Sequence, residues 1–593
     1  MTRTLPRPPN GVPARFARLV PLWAVATTPL LVMGAAEDAF EGPKALALRA
    51  AAFLVAAAGA LGYAGPVPAA LVGPVAALLA CGLLATALSP LLLTSLFGEY
   101  TSYQGELHWV ALAVLLAALA ERARRGETRR LLTAVTLSLA AVSAYALLQL
   151  AGLDPVEWGG ASPVRRSFST AGNPLYLGIL LAAGFPVSLG VAVTAGAPPA
   201  RAGKLALSGL IAAGLVASGS RGALAGAAAG TGVFLFLIRR RLPPRFGPAV
   251  AVTVALGAAA AGFLVPRDRN PFPLLAARAG AAVRGEDARP LIWAGAARLI
   301  ASSPLAGHGL DSFATLHPGV QHPRLWERVW HGSPEKAHNE LLQLAATAGL
   351  PAAGAALWLL AVLLRAARLA PTAAPLPAAA VAGLAGLTAA GLIGFSTMAS
   401  QALGVMLAGV LAARLPARSL PRRVWGAAAA LCAAGLLAHG RFTAAETALK
   451  QAGRGDGAAE RGVLALRTPW AQRLLRAGDA LEHRAFGPEL GDARAGAAVL
   501  ARLEALYGAA LAANPLHPFA HSDLARLALR EGRVADALAG YARARALAPR
   551  DSYLALEPAA ALLAAGRGAP AVPALKEAPA RSPGFAAPVG MLG

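Results

Sequence analysis

The sequence is poor in charged residues and in cysteine. Only 14% of its 593 residues are charged, whereas 56% are hydrophobic. Soluble globular domains carry about 25% charged residues, so the composition excludes that class. The two cysteines, Cys81 and Cys432, both lie inside apolar runs. They provide neither a disulfide framework nor a cysteine metal motif.

Acidic residues are scarce relative to basic ones. The chain has 30 acidic and 54 basic residues, which gives a formal net charge of +24. A basic chain can bind nucleic acid, but most arginines of the membrane half stand in short clusters between apolar runs. Orientation in a bilayer requires such clusters, and anionic membrane lipids attract them. We therefore expect membrane lipids, and no nucleic acid, among the partners.

Long apolar runs are what the sequence has in abundance, and its mean hydropathy is +0.55. Runs that approach twenty residues predict membrane-spanning helices. The predicted spans are 19–35, 45–63, 67–89, 107–121, 131–152, 174–195, 204–218, 223–238, 247–265, 340–364, 374–394, 399–413 and 424–438. We predict an all-α fold: a polytopic transmembrane helical bundle of about 12–13 spans, with a large periplasmic loop and a C-terminal α-solenoid.

The distribution of arginine predicts the orientation of these spans, because cytoplasmic loops are enriched in basic residues. The N-terminus is basic, and alternate loops are basic too, at 122–130, 201–204, 239–245, 365–368 and 414–423. We predict a cytoplasmic N-terminus at 1–18 and a membrane domain at 19–439. The segments predicted outside are 90–106, 153–173, 218–222, the large periplasmic loop 266–339, and the chain after 439.

The chain after the last span contains an internal repeat. Residues 507–515 (YGAALAANP) recur 34 residues later as 541–549 (YARARALAP). This period is typical of tetratricopeptide repeats, so we predict a periplasmic tetratricopeptide-like domain at 440–567. Such repeats bind protein partners through a concave face, although a helical cap without a partner is an alternative. The Pro/Ala-rich segment 568–593 predicts disorder.

Three short polar segments lie on the predicted outer side. The stretch 95–106 (SLFGEYTSYQGE) favours an interfacial aromatic belt over a sugar-facing loop. The stretch 164–177 (VRRSFSTAGNPLYL) contains Arg165 and Arg166, for which a solvated loop is the alternative. In 218–222 (SGSRG), Arg221 adjoins the bilayer, so it either snorkels or binds an anion. A guanidinium group can bind a lipid phosphate through two hydrogen bonds.

The long outer loop leads to the stretch 333–351, SPEKAHNELLQLAATAGLP. Ser333 is a suitable helix N-cap, which places His338 about one turn into the helix. Five histidines fall between 308 and 338, but their spacings match no zinc signature. We therefore expect no metal site and no cofactor. His338 is a candidate functional residue, and a polar residue in an interfacial turn is the alternative.

Four motifs in order carry a resemblance to a known family. They are GNPLYLG at 172–178, SRGALAG at 220–226, RPLIWAGAARLIASSPLAGHGLDSF at 289–313, and AHNELLQLAATAGLP at 337–351. Together they resemble the bacterial O-antigen ligase and polymerase superfamily over roughly residues 90–415. The stretch 95–105 is similar to a loop of members with tetratricopeptide tails, but the basic residue often found there is absent. The motifs do not separate ligases from polymerases.

The resemblance implies a metal-independent, inverting glycosyl transfer. A glycan would move from an undecaprenyl-diphosphate carrier to a hydroxyl of lipid A–core, a glycan or a protein, on the periplasmic side of the bacterial inner membrane. His338 would be the general base, and Arg221 and Arg289 would stabilise the departing diphosphate. The candidate substrate-binding residues are Arg165, Arg166, Asn173, Tyr176, Ser220, Trp293, His308 and Asn339. A polymerase and a protein O-oligosaccharyltransferase are alternatives within the superfamily, and a lipid-linked sugar flippase and a non-catalytic scaffold are alternatives outside it.

Overall fold

The computed structural model of the chain describes most of its residues, and most of these are helical. The described residues are 12–36, 38–156, 158, 166–242, 245–263, 265–329, 334–369, 374–452, 461–462, 464, 468, 470–486, 497–564 and 566–581. Arg165 and Ser333, which the sequence analysis singled out, lie outside them.

Seventeen helices form the membrane half and its loops. They are α1 (Val12–Thr27), α2 (Glu41–Ala60), α3 (Ala69–Leu88), α4 (Leu92–Phe97), α5 (Glu106–Arg122), α6 (Thr128–Ala151), α7 (Pro174–Val193), α8 (Pro198–Ala217), α9 (Arg221–Ile238), α10 (Phe246–Phe263), α11 (Pro271–Val283), α12 (Arg289–Ser302), α13 (Phe313–Val320), α14 (Glu340–Arg368), α15 (Pro375–Gly391), α16 (Met398–Ala412) and α17 (Arg422–Ala452).

Short elements join these helices. They are the 3₁₀ turns Thr28–Leu30, Ser169–Ala171, Arg239–Arg241, Arg267–Arg269 and Leu325–Glu327, the π turn Ala123–Glu127, and the strands β1 (Val67–Pro68) and β2 (Ala417–Arg418). The two strands pair antiparallel, with Val67 opposite Arg418. Among the described residues strand structure is limited to this pair, so the predicted helical class is confirmed.

Nine helical segments in the described part of the chain are long and apolar enough to cross a membrane. They are Glu41–Ala60, Ala69–Leu88, Glu106–Ala151, Pro174–Val193, Pro198–Ala217, Arg221–Arg241, Phe246–Phe263, Glu340–Arg368 and Arg422–Ala445. The 46-residue segment Glu106–Ala151 contains α5 and α6, which Gly126 separates with φ 86°. The chain is thus a multi-pass membrane protein by the length and composition of its helices.

Three further predicted spans coincide with shorter apolar helices, namely Leu19–Leu30, Pro375–Gly391 and Met398–Ala412. A helix of 15 residues is about 22 Å long, less than the hydrocarbon core of about 30 Å. The structure therefore places an apolar helix at each predicted span, while the count of thirteen crossings stays a prediction.

Helix α7 lies at the centre of the membrane half and is almost wholly buried against α8, α9 and α15. Small residues let these helices approach closely. A Cβ atom on Gly230 of α9 would lie 2.6 Å from the carbonyl oxygen of Ala382 in α15. Close backbone contact of this kind is typical of helix packing in membranes. It fixes α9, whose first residue is Arg221.

A buried arginine connects the spans to the 95–106 loop. Arg49 of α2 is 1% exposed. Its guanidinium donates to His439 Nδ1 at 2.8 Å and to the carbonyl oxygens of Phe97 and Tyr103 at 2.9 Å each. A cation this deep is stable only when protein groups bind it. Arg49 therefore fixes the 95–106 loop to α2.

Six helices form the tail: α18 (Ala471–Phe486), α19 (Ala497–Ala513), α20 (Pro518–Arg530), α21 (Val534–Leu547), α22 (Ser552–Ala564) and α23 (Gly568–Arg581). Consecutive helices pack as three pairs. Tyr507 and Tyr541, which begin the two repeated segments, are both buried in the second helix of a pair. The tetratricopeptide identity of the tail stays a prediction. The predicted disorder from 568 onward is wrong for α23, since Ala571 and Leu575 pack into the apolar core of the tail.

The tail contacts the 95–106 loop and α13 of the membrane half. Trp470 is 1% exposed, and its Nε1 donates to the carbonyl oxygen of Gly98 at 3.2 Å. Its ring packs against Tyr100 and Tyr103, with centroids 5.7 and 5.1 Å away. The interpretation of these tyrosines as an interfacial belt is wrong, because both are buried in protein. Asn514 Nδ2 adds a second contact, to Thr315 Oγ1 at 2.9 Å.

Candidate functional site

Arg221 begins α9, and the turn before it sets its position. Gly219 has φ 58°, a conformation in which glycine is favoured. The side chain of Ser220 then caps the helix by accepting from the backbone N–H of Ala223 at 3.4 Å. Serine is a good N-cap because its oxygen satisfies an otherwise unpaired N–H group. The predicted residue Ser220 thus positions Arg221.

The long loop folds back over this turn through α11 and α12. The Arg221 guanidinium donates to the carbonyl oxygen of Arg278 in α11. In return, Arg278 donates to the carbonyl oxygen of Gly219 at 3.4 Å. This pair of contacts fixes α11 against the start of α9.

Asp287 connects the two predicted catalytic arginines. Its Oδ2 accepts from Arg289 at 2.9 Å and from Arg221 at 3.5 Å. Its Oδ1 accepts from the backbone N–H of Arg289 at 3.0 Å, which holds the carboxylate at the start of α12. Burial alone would raise the pKa of Asp287, but that hydrogen bond and the two arginines lower it overall. An ionised Asp287 therefore orients both guanidinium groups.

The helix after the long loop begins later than predicted. Asn339, not Ser333, is the N-cap of α14, and its side-chain oxygen accepts from the N–H groups of Leu341 and Leu342. Asparagine caps as well as serine does, and it stands directly before the apolar helix. His338 consequently precedes the helix, with φ 52°. This left-handed conformation is uncommon outside glycine. Gly349 kinks α14, with φ 84°.

His338 is partly buried, and its ring contacts Phe395 edge-on with centroids 5.0 Å apart. Phe395 in turn contacts Tyr176, one of the predicted substrate-binding residues, at 5.4 Å. Burial of the imidazole and the nearby Arg289 lower the pKa of His338 to about 4, against the opposing effect of Asp287. The imidazole is therefore neutral at pH 7, and its buried Nδ1 has no hydrogen-bond partner among the described residues.

Arg221, Asp287, Arg289 and His338 all line one cavity of about 430 Å³, which we call the arginine cavity. Its lining residues are Arg221, Arg278, Ala281, Glu286, Asp287, Ala288, Arg289, Ile292, Arg328, Val329, Pro334 and His338. Four arginines face two carboxylates there, so the cavity has an excess of positive charge. All three predicted catalytic residues line it, although they are as much as 117 positions apart in the sequence. Such a cavity can bind a phosphate-bearing ligand beside a neutral imidazole.

Sequence reasoning missed three residues of this cavity. Arg278 and Arg328 belong to no recognisable motif, and only the folding of the loop brings them to Arg221. Burial, followed by the charges of Arg221 and Arg289, lowers the pKa of Arg278. Asp287 did leave a signal, because an aspartate two residues before a helical arginine and proline is typical of a helix start.

Arg166, Asn173 and Asn339 are not among the residues that line the cavity. Arg166 donates from Nε to the carbonyl oxygen of Ser218 at 3.0 Å, and burial, followed by Arg278, lowers the pKa of Arg166 to about 10. Asn173 caps α7 through the N–H of Leu175. Asn339 Nδ2 donates to the carbonyl oxygen of Leu392 at 3.0 Å. The amides of Asn173 and Asn339 are thus engaged in holding helix starts.

Trp293 and His308 belong to the long loop and do not line the cavity. Trp293 is one turn after Arg289 in α12, and its buried Nε1 has no partner in the described part of the chain. The Nε2 atom of His308 lies 2.9 Å from the carbonyl oxygen of Leu299 and 3.0 Å from Ser302 Oγ. Among the described residues, no group of three or more His, Cys, Asp and Glu side chains could hold a metal ion.

The comparisons with known proteins bear on the same region. No curated protein matches the chain. Residues 206–359 match a family model described as O-antigen ligase. This range contains every residue that lines the 430 Å³ cavity. The match, which covers about a quarter of the chain, therefore supports a place in the O-antigen ligase superfamily and a function of the membrane-glycosyltransferase type.

Proposed function

We propose that the chain transfers a glycan from an undecaprenyl-diphosphate carrier to an acceptor hydroxyl. The observation that carries this proposal is one cavity that four arginines line together with the neutral His338, namely Arg221, Arg278, Arg289 and Arg328. Its charge suits a diphosphate, and its imidazole suits an acceptor hydroxyl. A lipid-linked sugar that is attacked by an acceptor brings a diphosphate and a hydroxyl to one reaction centre.

The arginines would stabilise the leaving group. As the bond between the anomeric carbon and the diphosphate oxygen breaks, its electron pair stays on the diphosphate. Guanidinium groups aimed at that oxygen stabilise the developing charge. Arg221 and Arg289 are already oriented through Asp287 at 3.5 and 2.9 Å, so little reorganisation is needed. These cations would supply the stabilisation that a divalent ion gives elsewhere, and we propose that the reaction needs no metal.

His338 would accept the proton of the acceptor. The acceptor oxygen attacks the anomeric carbon from the face opposite the diphosphate, and its proton passes to a ring nitrogen of His338. Direct displacement by one nucleophile inverts the configuration at that carbon. The low pKa of His338 keeps the base unprotonated before the donor binds. The bound diphosphate then favours the imidazolium that forms.

The pH dependence follows from this electrostatic coupling. The free protein should lose its base only as the pH falls toward about 4, where His338 becomes protonated. Because the bound diphosphate raises the pKa of His338, the acid limb of kcat should lie at higher pH than the acid limb of kcat/KM. Rates between pH 4 and 8 measure both limbs. Coincident limbs would contradict the proposed contact between donor charge and His338.

The acceptor distinguishes a ligase, a polymerase and a protein O-oligosaccharyltransferase, and we propose ligase activity first. Deletion of the gene should leave lipid A–core without polymer if the chain is a ligase. A polymerase would instead leave single repeat units on lipid A–core, and a protein O-oligosaccharyltransferase would leave under-glycosylated protein. Analysis of surface glycans in the deletion strain separates the three. A surface indistinguishable from the parent strain would count against all of them.

The arginine cavity should face the periplasm of the bacterial inner membrane. Basic clusters at 122–130, 239–245 and 414–423 support this orientation. Reporter fusions after residues 125, 241 and 418 are therefore expected to be cytoplasmic, and fusions after 100, 320 and 500 periplasmic. A cytoplasmic reporter at 320 would place the arginine cavity on the wrong side for a translocated donor.

A further inference from the structure

A second cavity, of about 600 Å³, lies between the tail and the outer loops of the membrane half. It is lined by Glu99, Tyr100, Ser102, Asp311 and α13 on one side and by α18, α20 and Tyr553 on the other. A volume of this size accommodates a ligand of several rings. Neither the proposed chemistry nor the O-antigen ligase match, which ends at residue 359, accounts for the tail side of this cavity.

Aromatic rings stand on both sides of this second cavity. On the tail side, the rings of Phe519 and Tyr553 have centroids 6.3 Å apart, and Tyr553 is 39% exposed. On the membrane side, Tyr100 lies under the guanidinium of Arg476, whose central carbon is 5.5 Å from the ring centroid. Aromatic side chains with a polar end suit ligands that have both apolar and hydroxyl-bearing faces. Sugars are such ligands.

Polar groups complete the lining. Five carboxyl and three cationic side chains face the cavity, which gives it the opposite charge balance to the arginine cavity. Asp311 and Lys336 form a buried ion pair. Asp311 also binds the 95–106 loop, since its Oδ2 accepts from the backbone N–H of Glu99 at 2.8 Å. Burial raises the pKa of Glu99 to about 7, so its carboxyl group can donate as well as accept. This lining disfavours a phosphate and suits neutral hydroxyls or amines.

One short segment separates the two cavities. Pro334 and His338 line the arginine cavity, whereas Glu335 and Lys336 line the second one. At most four positions separate these residues, so the same five-residue segment, 334–338, adjoins both cavities. A glycan that reacts at His338 and extends past this segment would reach the second cavity.

We propose that the second cavity binds a neutral or amine-bearing oligosaccharide. The ligand is the glycan part of the donor or of the acceptor, and in this identification the inference rests on the proposed function. Phe519 and Tyr553 pack against the apolar faces of its sugar rings. Glu99, Glu335 and Asp479 hydrogen-bond its hydroxyl or amino groups. The tail is thus a substrate-binding part of the transferase.

Saturation-transfer NMR on the full-length protein in nanodiscs tests this proposal. The probe is the oligosaccharide mixture that mild acid releases from the lipid carriers and from the lipid A–core of the producing cells, separated into neutral or basic and acidic fractions. The first fraction should bind the wild type, and Tyr553→Ala and the cavity-filling Ala314→Trp should each lower its signal at least fivefold. Leu538→Ala, at an exposed position of α21 outside the cavity, should leave it unchanged.

Three results would overturn the proposal: no binding by the wild type, binding of the acidic fraction alone, or an unchanged signal in both cavity variants. Arg289→Ala separates this proposal from the proposed function, because it should abolish transfer and leave oligosaccharide binding intact. Kinetics then identify the source of the glycan. Tyr553→Ala raises KM for the donor if the donor glycan occupies the cavity, and KM for the acceptor if the acceptor glycan does.

Discussion

Replacing His338 by alanine is expected to lower the turnover number by about a hundred- to ten-thousand-fold, the range for a positioned general base. The neutral imidazole at the edge of the arginine cavity is the group proposed to take the acceptor proton. Affinity for the lipid-linked donor should change little, because the arginines bind the diphosphate. Single-turnover transfer and donor binding, measured separately in nanodiscs, give the two quantities.

The left-handed backbone at position 338 calls for a second variant. His338→Asn suits φ 52° as well as histidine does, but it cannot act as a base near neutral pH. It should therefore be as inactive as His338→Ala. His322→Ala, in the same loop, serves as the matched control and should keep wild-type turnover. Near-normal turnover in both His338 variants would remove this residue from the role of base.

Replacing Arg221 by alanine should cost a similar amount, about a hundred- to a thousandfold in transfer, the usual loss for one group aimed at developing charge. Unlike the change at His338, it should also weaken donor binding, since the ground-state diphosphate already contacts the guanidinium. Arg221→Lys should restore little activity, because an ammonium group cannot bridge two acceptors in the fixed geometry of a guanidinium. Here Arg221 reaches both Asp287 and the carbonyl oxygen of Arg278.

Arg284→Ala is the control for this experiment. Arg284 lies in the same loop and is 62% exposed, and within the described part of the chain its ion pair is with the neighbouring Glu286. Its loss should leave transfer unchanged. EDTA should not slow the wild-type protein either. Full activity in Arg221→Ala, or activity that EDTA abolishes and a divalent ion restores, would contradict the proposed role of the arginines.

Much of the candidate site could be predicted because its parts are local in sequence. Ser220 and Arg221 form a helix cap and its first residue, and His338 stands immediately before an apolar helix. Each is visible as a polar residue at the predicted end of a span. The resemblance supplied the expectation that they meet. The helix start was misplaced by about six residues because Ser333 and Asn339 are both good caps, and only packing distinguishes them.

The contacts between distant segments could not be predicted. The sequence alone suggests an aromatic belt for Tyr100 and Tyr103, because it does not show which residue packs on them. That residue is Trp470, about 370 positions away. Arg278 likewise reaches the arginine cavity through the return of α11 to Gly219. Contacts of this range depend on the whole fold and leave no periodicity in either segment. The second cavity lies between the 95–106 loop and the tail, so it could not be predicted from the sequence for the same reason.

The most direct test of glycosyl transfer is the stoichiometry of a single turnover. The purified protein in nanodiscs receives a lipid-linked glycan labelled in both its sugar and its lipid, together with a purified acceptor. We expect one undecaprenyl diphosphate to be released for each glycan that becomes attached to the acceptor, with inverted configuration at the linking carbon. Labelled glycan that crosses the bilayer while still attached to its lipid, with no glycosylated acceptor, would instead show a flippase and contradict this account.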